Sequence, residues 1–167
     1  MAHGVGIAVR IRPARFSDAR DIAVLNNRFA GEGIMLFRRP EQIALSIDDY
    51  VVATDARGSV IACGALKEYA PSLAEVAAIA VAPEAHGMGL GKAIVRAVEE
   101  LALKRGTTEL FALTLEPGFF EAVGYQRVER AHYPEKIRRD CIGCARRFTC
   151  IETCFAKTVG SEKSAAA

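Results

Sequence analysis

Between Ile79 and Leu103 an apolar, partly β-branched run gives way to a loop with glycine at every second position, Gly87, Gly89 and Gly91. Ile94, Ala97, Val98 and Leu101 then follow at helical spacing. The stretch reads as strand, glycine loop, helix. A loop without side chains exposes backbone N–H groups where a helix N-terminus concentrates positive potential, so the site suits a phosphate or pyrophosphate. Two nucleotide-binding designs are excluded by spacing. Counting back from Gly91-Lys92 puts His86 where a Walker A loop needs its first glycine, and Ala93 stands where it needs a hydroxyl. A dinucleotide fingerprint would need its third glycine at Lys92.

The 167 residues suffice for one domain with a real core, and a hydrophobic content of 51% argues against disorder. A formal charge of +2 gives no reason to expect nucleic acid as a partner. No apolar run approaches a membrane span, and Met1 to Gly6 lacks a signal-peptide core, so a cytoplasmic protein with no membrane partner is expected. In that compartment the five cysteines should be reduced, and a cysteine cluster points to metal or redox chemistry before disulfides.

In chain order, Val5 to Arg12 alternates as a half-buried strand. Ser17-Asp18 caps a helix with Ile22, Leu25, Asn26 and Phe29 on its apolar stripe and Gly31 and Gly33 beyond it. A short helix over Pro40 to Ser46 follows Arg38 and Arg39. Tyr50 to Thr54 and Ser59 to Tyr69 flank Asp55-Ala56-Arg57-Gly58 as a hairpin, with Cys63 as a small core residue in its second arm. Ala74 to Val81 is the strand leading into the glycine loop. After the central helix, closed near Gly106, come a strand over Leu110 to Leu115, a short helix over Pro117 to Val123 and a last strand over Tyr125 to Glu129. Residues 1–160 are expected to form one domain, with a loose tail over 161–167.

The loop His86-Gly87-Met88-Gly89-Leu90-Gly91, after Val81-Ala82-Pro83, resembles the pyrophosphate loop of the GCN5-related N-acetyltransferases (GNAT), with His86 where that family usually has Gln or Arg. The resemblance implies the family's α/β fold: a mixed, mostly antiparallel central sheet with flanking helices, splayed where acetyl-CoA binds. It places the cosubstrate on Ile79, Ala80, Val81, His86, Gly87, Met88, Gly89, Leu90, Gly91 and Lys92. Within the superfamily the chain is most similar to short N-acetylglutamate synthase-like amino-acid acetyltransferases. The matching strings are Met35-Leu-Phe-Arg-Arg39, Val60 to Leu66, Ala74 to Pro83, Leu110 to Thr114, Phe119-Phe120 with Gly124-Tyr125, and Tyr133-Pro-Glu-Lys136.

Acetyl transfer from a thioester to an amine requires a deprotonated amine, a polarised carbonyl and an accommodated thiolate. Glu75 is the candidate base: it opens the strand before the loop among apolar residues that could raise its pKa, and the resemblance puts the family's water-relaying glutamate there. Main-chain N–H groups near Ile79 to Val81 would polarise the carbonyl. Many relatives carry a tyrosine acid four residues before Gly124; here Phe120 stands in its place. Either another hydroxyl serves, Thr114 being the nearest by sequence, or the thiolate leaves unassisted. Carboxylates of an amino-acid acceptor call for bidentate arginine, and Arg38, beside Arg39, matches the family's substrate clamp.

Cys141-x2-Cys144-x5-Cys150-x3-Cys154, interleaved with arginines, is not needed by the basic fold. The four thiols could hold Zn or an iron–sulfur cluster, form a redox-labile pair, or be inert. The reading as a whole is an acyltransferase moving acetyl from acetyl-CoA to the α-amine of an amino acid, L-glutamate first, as in arginine biosynthesis, with a homodimer allowed. Two alternatives stay open: an N-acetyltransferase acting on a polyamine, drug or protein amine, and a non-catalytic acetyl-CoA- or metal-sensing regulator.

Overall fold

The computed structural model describes residues 8–160. Val5 to Ile7 of the expected first strand, and the expected tail, lie outside them. The elements are β1 (Arg10–Pro13), α1 (Ala19–Gly31), α2 (Pro40–Leu45), β2 (Tyr50–Thr54), β3 (Val60–Ala70), β4 (Leu73–Val81), α3 (Leu90–Lys104), β5 (Glu109–Thr114), α4 (Pro117–Ala122), β6 (Gln126–Arg127), α5 (Pro134–Lys136) and β7 (Thr153–Thr158). A wide π-turn, Ile137–Cys141, continues α5. The strands form one seven-stranded sheet in the order β1-β2-β3-β4-β5-β7-β6. β4 and β5 pair in parallel over Leu73–Glu75 and Glu109–Phe111, the arrangement that a helical crossover such as α3 permits. The β1–β2, β2–β3, β5–β7 and β6–β7 pairs are antiparallel.

Two strand expectations need correction. The last strand in the sequence is β7, Thr153–Thr158, a segment that the sequence pattern leaves within and after the cysteine-rich stretch. β7 pairs with β5 along the whole of β5, while Tyr125 to Glu129 supplies only the two-residue edge strand β6. An edge strand with so little pairing is short because one of its sides finds no partner.

The described residues gather into two compact units. The first comprises the chain up to Ala65 together with Ala78–Val98; the second comprises Leu66–Ala77 and Glu99 onward. In the first unit, β2 is buried at all five positions, as expected of an interior strand, whereas Ile11 of edge strand β1 remains 39% exposed. Asp18 does not cap α1 with its side chain. Its carboxylate instead takes two hydrogen bonds from the Arg12 guanidinium, at 2.7 and 3.0 Å, and one from the Arg15 N–H, tying β1 to the start of the helix. Gly64 on β3 lets α3 lie close: a Cβ there would come within 2.5 Å of Ile94 Cγ2 and 2.7 Å of Ile79 Cδ1. In the second unit the core is built on Phe111, Tyr133 and Cys154, with the Phe111 and Tyr133 rings stacked at 4.3 Å.

Candidate active site

The glycine loop of the first unit has the conformation its composition calls for. Gly87 and Gly89 sit at φ of +81° and +74°, in the left-handed region, and a Cβ at either would touch nothing within 4 Å. Their glycines therefore serve backbone conformation, not packing. The loop runs directly into the first turn of α3, where a helix leaves backbone N–H groups without intrahelical partners. Gly91 already lies inside α3, and Lys92 is exposed beside it. His86 folds back, its Nε2–H donating to the Val81 carbonyl at 2.9 Å, so its side chain shapes the entry to the loop.

The backbone of β4 departs from extended geometry near its end. Ala78 stands at φ +53°, a conformation costing a residue with a Cβ about 1–2 kcal/mol. The buried Cys63 thiol donates to the Ala78 carbonyl at 3.6 Å, and burial pushes that thiol up to about 12, the Ala80 N–H beside it acting in the opposite sense. Ala82 donates to the Ile61 carbonyl of β3 at 2.8 Å. Ala80 and Ala82 are thus directed to β3, and because backbone groups alternate along a strand, Ile79 and Val81 are directed away from it. The Ala80 N–H is engaged with Cys63 and the Val81 carbonyl with His86, which leaves the backbone of Ile79 and the Val81 N–H directed away from β3.

Arg38 is held by its backbone. Asn27 accepts the Arg38 N–H at 3.0 Å and donates to the Arg38 carbonyl at 2.8 Å, while buried Asn26 donates to the Leu36 carbonyl at 2.9 Å. The Arg38 guanidinium lies beside buried Tyr50, whose hydroxyl is raised by burial against the pull of that cation. Arg39 takes a different job, opening α2 with its N–H on Gln42 Oε1 at 3.0 Å. Asn26 and Asn27 were legible only as a polar interruption of an apolar stripe; that both side chains reach ten residues or more ahead is a property of the folded loop.

In the second unit, Glu75 is buried but not among apolar groups alone, contrary to expectation. Its Oε2 accepts the Tyr69 hydroxyl at 2.8 Å and the Lys136 ammonium at 2.9 Å. Lys136 also reaches Asp140 at 3.0 Å, and Asp140 takes Lys67 at 2.6 Å and the Tyr69 hydroxyl. Burial works against the Lys136 ammonium, but Glu75 and Asp140 outweigh it and raise its pKa. The same donors hold Asp140 well below the ordinary carboxylate range despite burial. Tyr69, Lys136 and Asp140 were missed in the sequence, although Lys136 ends one of the strings that carried the resemblance.

Thr114 ends β5, and its Oγ1 accepts the Glu116 N–H at 2.8 Å, which leaves the hydroxyl proton available. Phe120 is buried against Phe119, Tyr125 and Phe155. The four C-terminal cysteines do not form the expected metal centre: among the described residues no group of three or more His, Cys, Asp or Glu side chains is arranged to hold a metal ion. Cys154 points into the aromatic core, where burial pushes its thiol up to about 11. Cys150 instead accepts from the Arg130 guanidinium at 3.3 Å, which also donates to the Glu152 carbonyl at 3.0 Å. All the cysteines are free, and burial also raises Cys141. No helix among the described residues is long and apolar enough to cross a membrane.

Comparison with known proteins matches this geometry. The family model described as Acetyltransferase (GNAT) family covers residues 16–125. The chain is 41% identical over 149 residues to an uncharacterized N-acetyltransferase of Chlorobaculum tepidum, covering 89% of this chain and 96% of that protein. It is 34% identical over 131 residues to the amino-acid acetyltransferase of Pasteurella multocida, covering 77% of this chain but only 30% of that longer protein. A solved N-acetylglutamate synthase from Neisseria gonorrhoeae, complexed with coenzyme A and N-acetyl-glutamate, superposes with a TM-score of 0.81 at 26% identity, over 92% of this chain and 35% of the other. With the family model matching residues 16–125 and a relative 41% identical over nearly its whole length, the chain belongs to the GNAT family and is an N-acetyltransferase.

Proposed function

We propose that the protein transfers the acetyl group of acetyl-CoA to the α-amine of an amino acid, with L-glutamate as acceptor, and that residues 1–160 work as one catalytic domain. The observation that carries this reading is Arg38: a cation whose backbone is pinned on both sides by Asn27 and whose guanidinium lies beside Tyr50, in the same compact unit as the glycine loop. An arginine fixed in this way suits a carboxylate far better than a polyamine. The Pasteurella and Neisseria relatives, both named for amino-acid substrates or products, support it. The reaction would then serve arginine biosynthesis in the cytoplasm.

On this reading the N–H groups of Gly87 to Lys92 bind the pyrophosphate, and the backbone of Ile79 and Val81 holds the pantetheine arm and polarises the thioester carbonyl. Glu75 accepts the amine proton, through water or directly, as nitrogen bonds to the carbonyl carbon. The carbon–sulfur bond then breaks, and the Thr114 hydroxyl relays a proton from solvent water to the departing thiolate, regaining one as it gives one up. Coenzyme A release measured across a panel of amino acids and spermidine tests the acceptor. Glutamate should lead the panel, and Arg38→Ala should raise its KM about 30-fold or more while leaving that of acetyl-CoA near wild type, for loss of a desolvated charged pair of roughly 2–4 kcal/mol. Equal rates with glutamate and spermidine would overturn the assignment.

A further inference from the structure

Glu75 sits in a cluster more elaborate than a buried carboxylate needs for solubility in the fold. On the reading that Glu75 accepts the amine proton, we propose that Lys136 is a positioning residue for the transfer: with Tyr69 it occupies Oε2 of Glu75 and holds the carboxylate in place, leaving Oε1 as the edge that takes up the proton.

The contacts support this assignment atom by atom. Glu75 is 6% exposed, and an ionised carboxylate at that depth is stable only when paired with a cation and hydrogen-bonded. Lys136 has three donors and three oxygens within reach: Glu75 Oε2 at 2.9 Å, Asp140 Oδ2 at 3.0 Å and the Tyr69 hydroxyl at 3.2 Å. Its ammonium is therefore fixed in place. Asp140, four residues on in the π-turn, is anchored in turn by Lys67. Glu75 and Asp140 against Lys67 and Lys136 make a neutral set, so the cluster can remain ionised without net buried charge. Arg139 also faces it, 5.0 Å from the Tyr69 ring centre and hydrogen-bonded to the Glu68 carbonyl. The thiols of Cys141 and Cys154, also nearby, have raised pKa values and stay neutral at physiological pH. Both hydrogen bonds to the Glu75 carboxylate end on Oε2; among the described residues Oε1 has no partner. A lysine that only filled space would not need to address the same carboxylate oxygen as the tyrosine.

The test is the pH dependence of kcat/KM for the full chain, with acetyl-CoA and L-glutamate as the probes. Lys136→Met should move the acidic limb upward by about one pH unit or more, so that the rate at neutral pH falls roughly tenfold and recovers as the pH is raised. Lys136→Arg should return the limb to within about half a unit of wild type. An unmoved limb in folded Lys136→Met, with Glu75→Gln inactive, would overturn the role of Lys136 and leave that of Glu75 standing. A fully active Glu75→Gln would remove Glu75 from the mechanism, and Lys136 with it. If Lys136→Met does not fold, Tyr69→Phe removes the other donor to Oε2 and should shift the limb in the same direction by a smaller step; no shift there overturns the proposal equally.

Discussion

Replacing Gly89 by alanine isolates the backbone contribution of the loop. Gly89 stands at φ +74°, and the added Cβ would meet no atom within 4 Å, so the whole effect comes from holding a residue with a Cβ in the left-handed region. That costs about 1–2 kcal/mol. The strain has two outlets. If the loop keeps its shape without ligand, folding stability drops by that amount, lowering Tm by roughly 2–8 °C for a domain of this size. If the loop relaxes instead, the penalty is met on binding, and the Kd for coenzyme A rises about 5- to 30-fold. The two losses, read by thermal melting and by titration calorimetry, should together come to about 1–2 kcal/mol. Gly89→Asn should lose less, since asparagine tolerates the left-handed region better than alanine. Unchanged Tm and affinity in Gly89→Ala would refute a conformational role. Equal losses for alanine and asparagine would instead mean that any side chain collides with the ligand.

Two further outcomes follow from packing and charge. Gly64→Ala would drive a methyl into Ile94 Cγ2 and Ile79 Cδ1, and because the first belongs to a stiff β-branched side chain, a loss of about 1–3 kcal/mol is expected; a Tm equal to wild type would show that α3 can shift freely. The Arg12 guanidinium, bonded to both Asp18 oxygens, holds that carboxyl below its ordinary value, so the pair stabilises the fold above about pH 4 and the contribution is lost as the pH falls through the lowered folded value. Asp18→Asn should therefore cost roughly 2–4 kcal/mol at neutral pH, and its melting curve should converge on that of wild type in strong acid; a gap independent of pH would contradict this.

Much of the chain could be read before it was folded, wherever the information is local. The glycine loop was legible because glycine is the residue that takes up the left-handed conformation found at Gly87 and Gly89. The hairpin of β2 and β3 was legible because Asp55 to Gly58 carries its turn chemistry in its own residues, the Asp55 carboxylate accepting the N–H groups of Arg57 and Ser59. Tertiary structure decided what depends on residues far apart in sequence. Whether Thr153 to Thr158 is a strand depends on β5 offering an open edge forty residues earlier, and whether four cysteines meet depends on where Cys154 points once β7 is in the sheet. Glu75 makes the same point for chemistry: its neighbours in sequence are apolar, but the side chains that bond to it, Tyr69 and Lys136, come from another strand and from α5, about sixty residues away. Local pattern fixes which backbone conformations a segment can adopt, because those energies involve neighbours along the chain. Ionisation and metal binding involve neighbours in space, and only the fold brings those together.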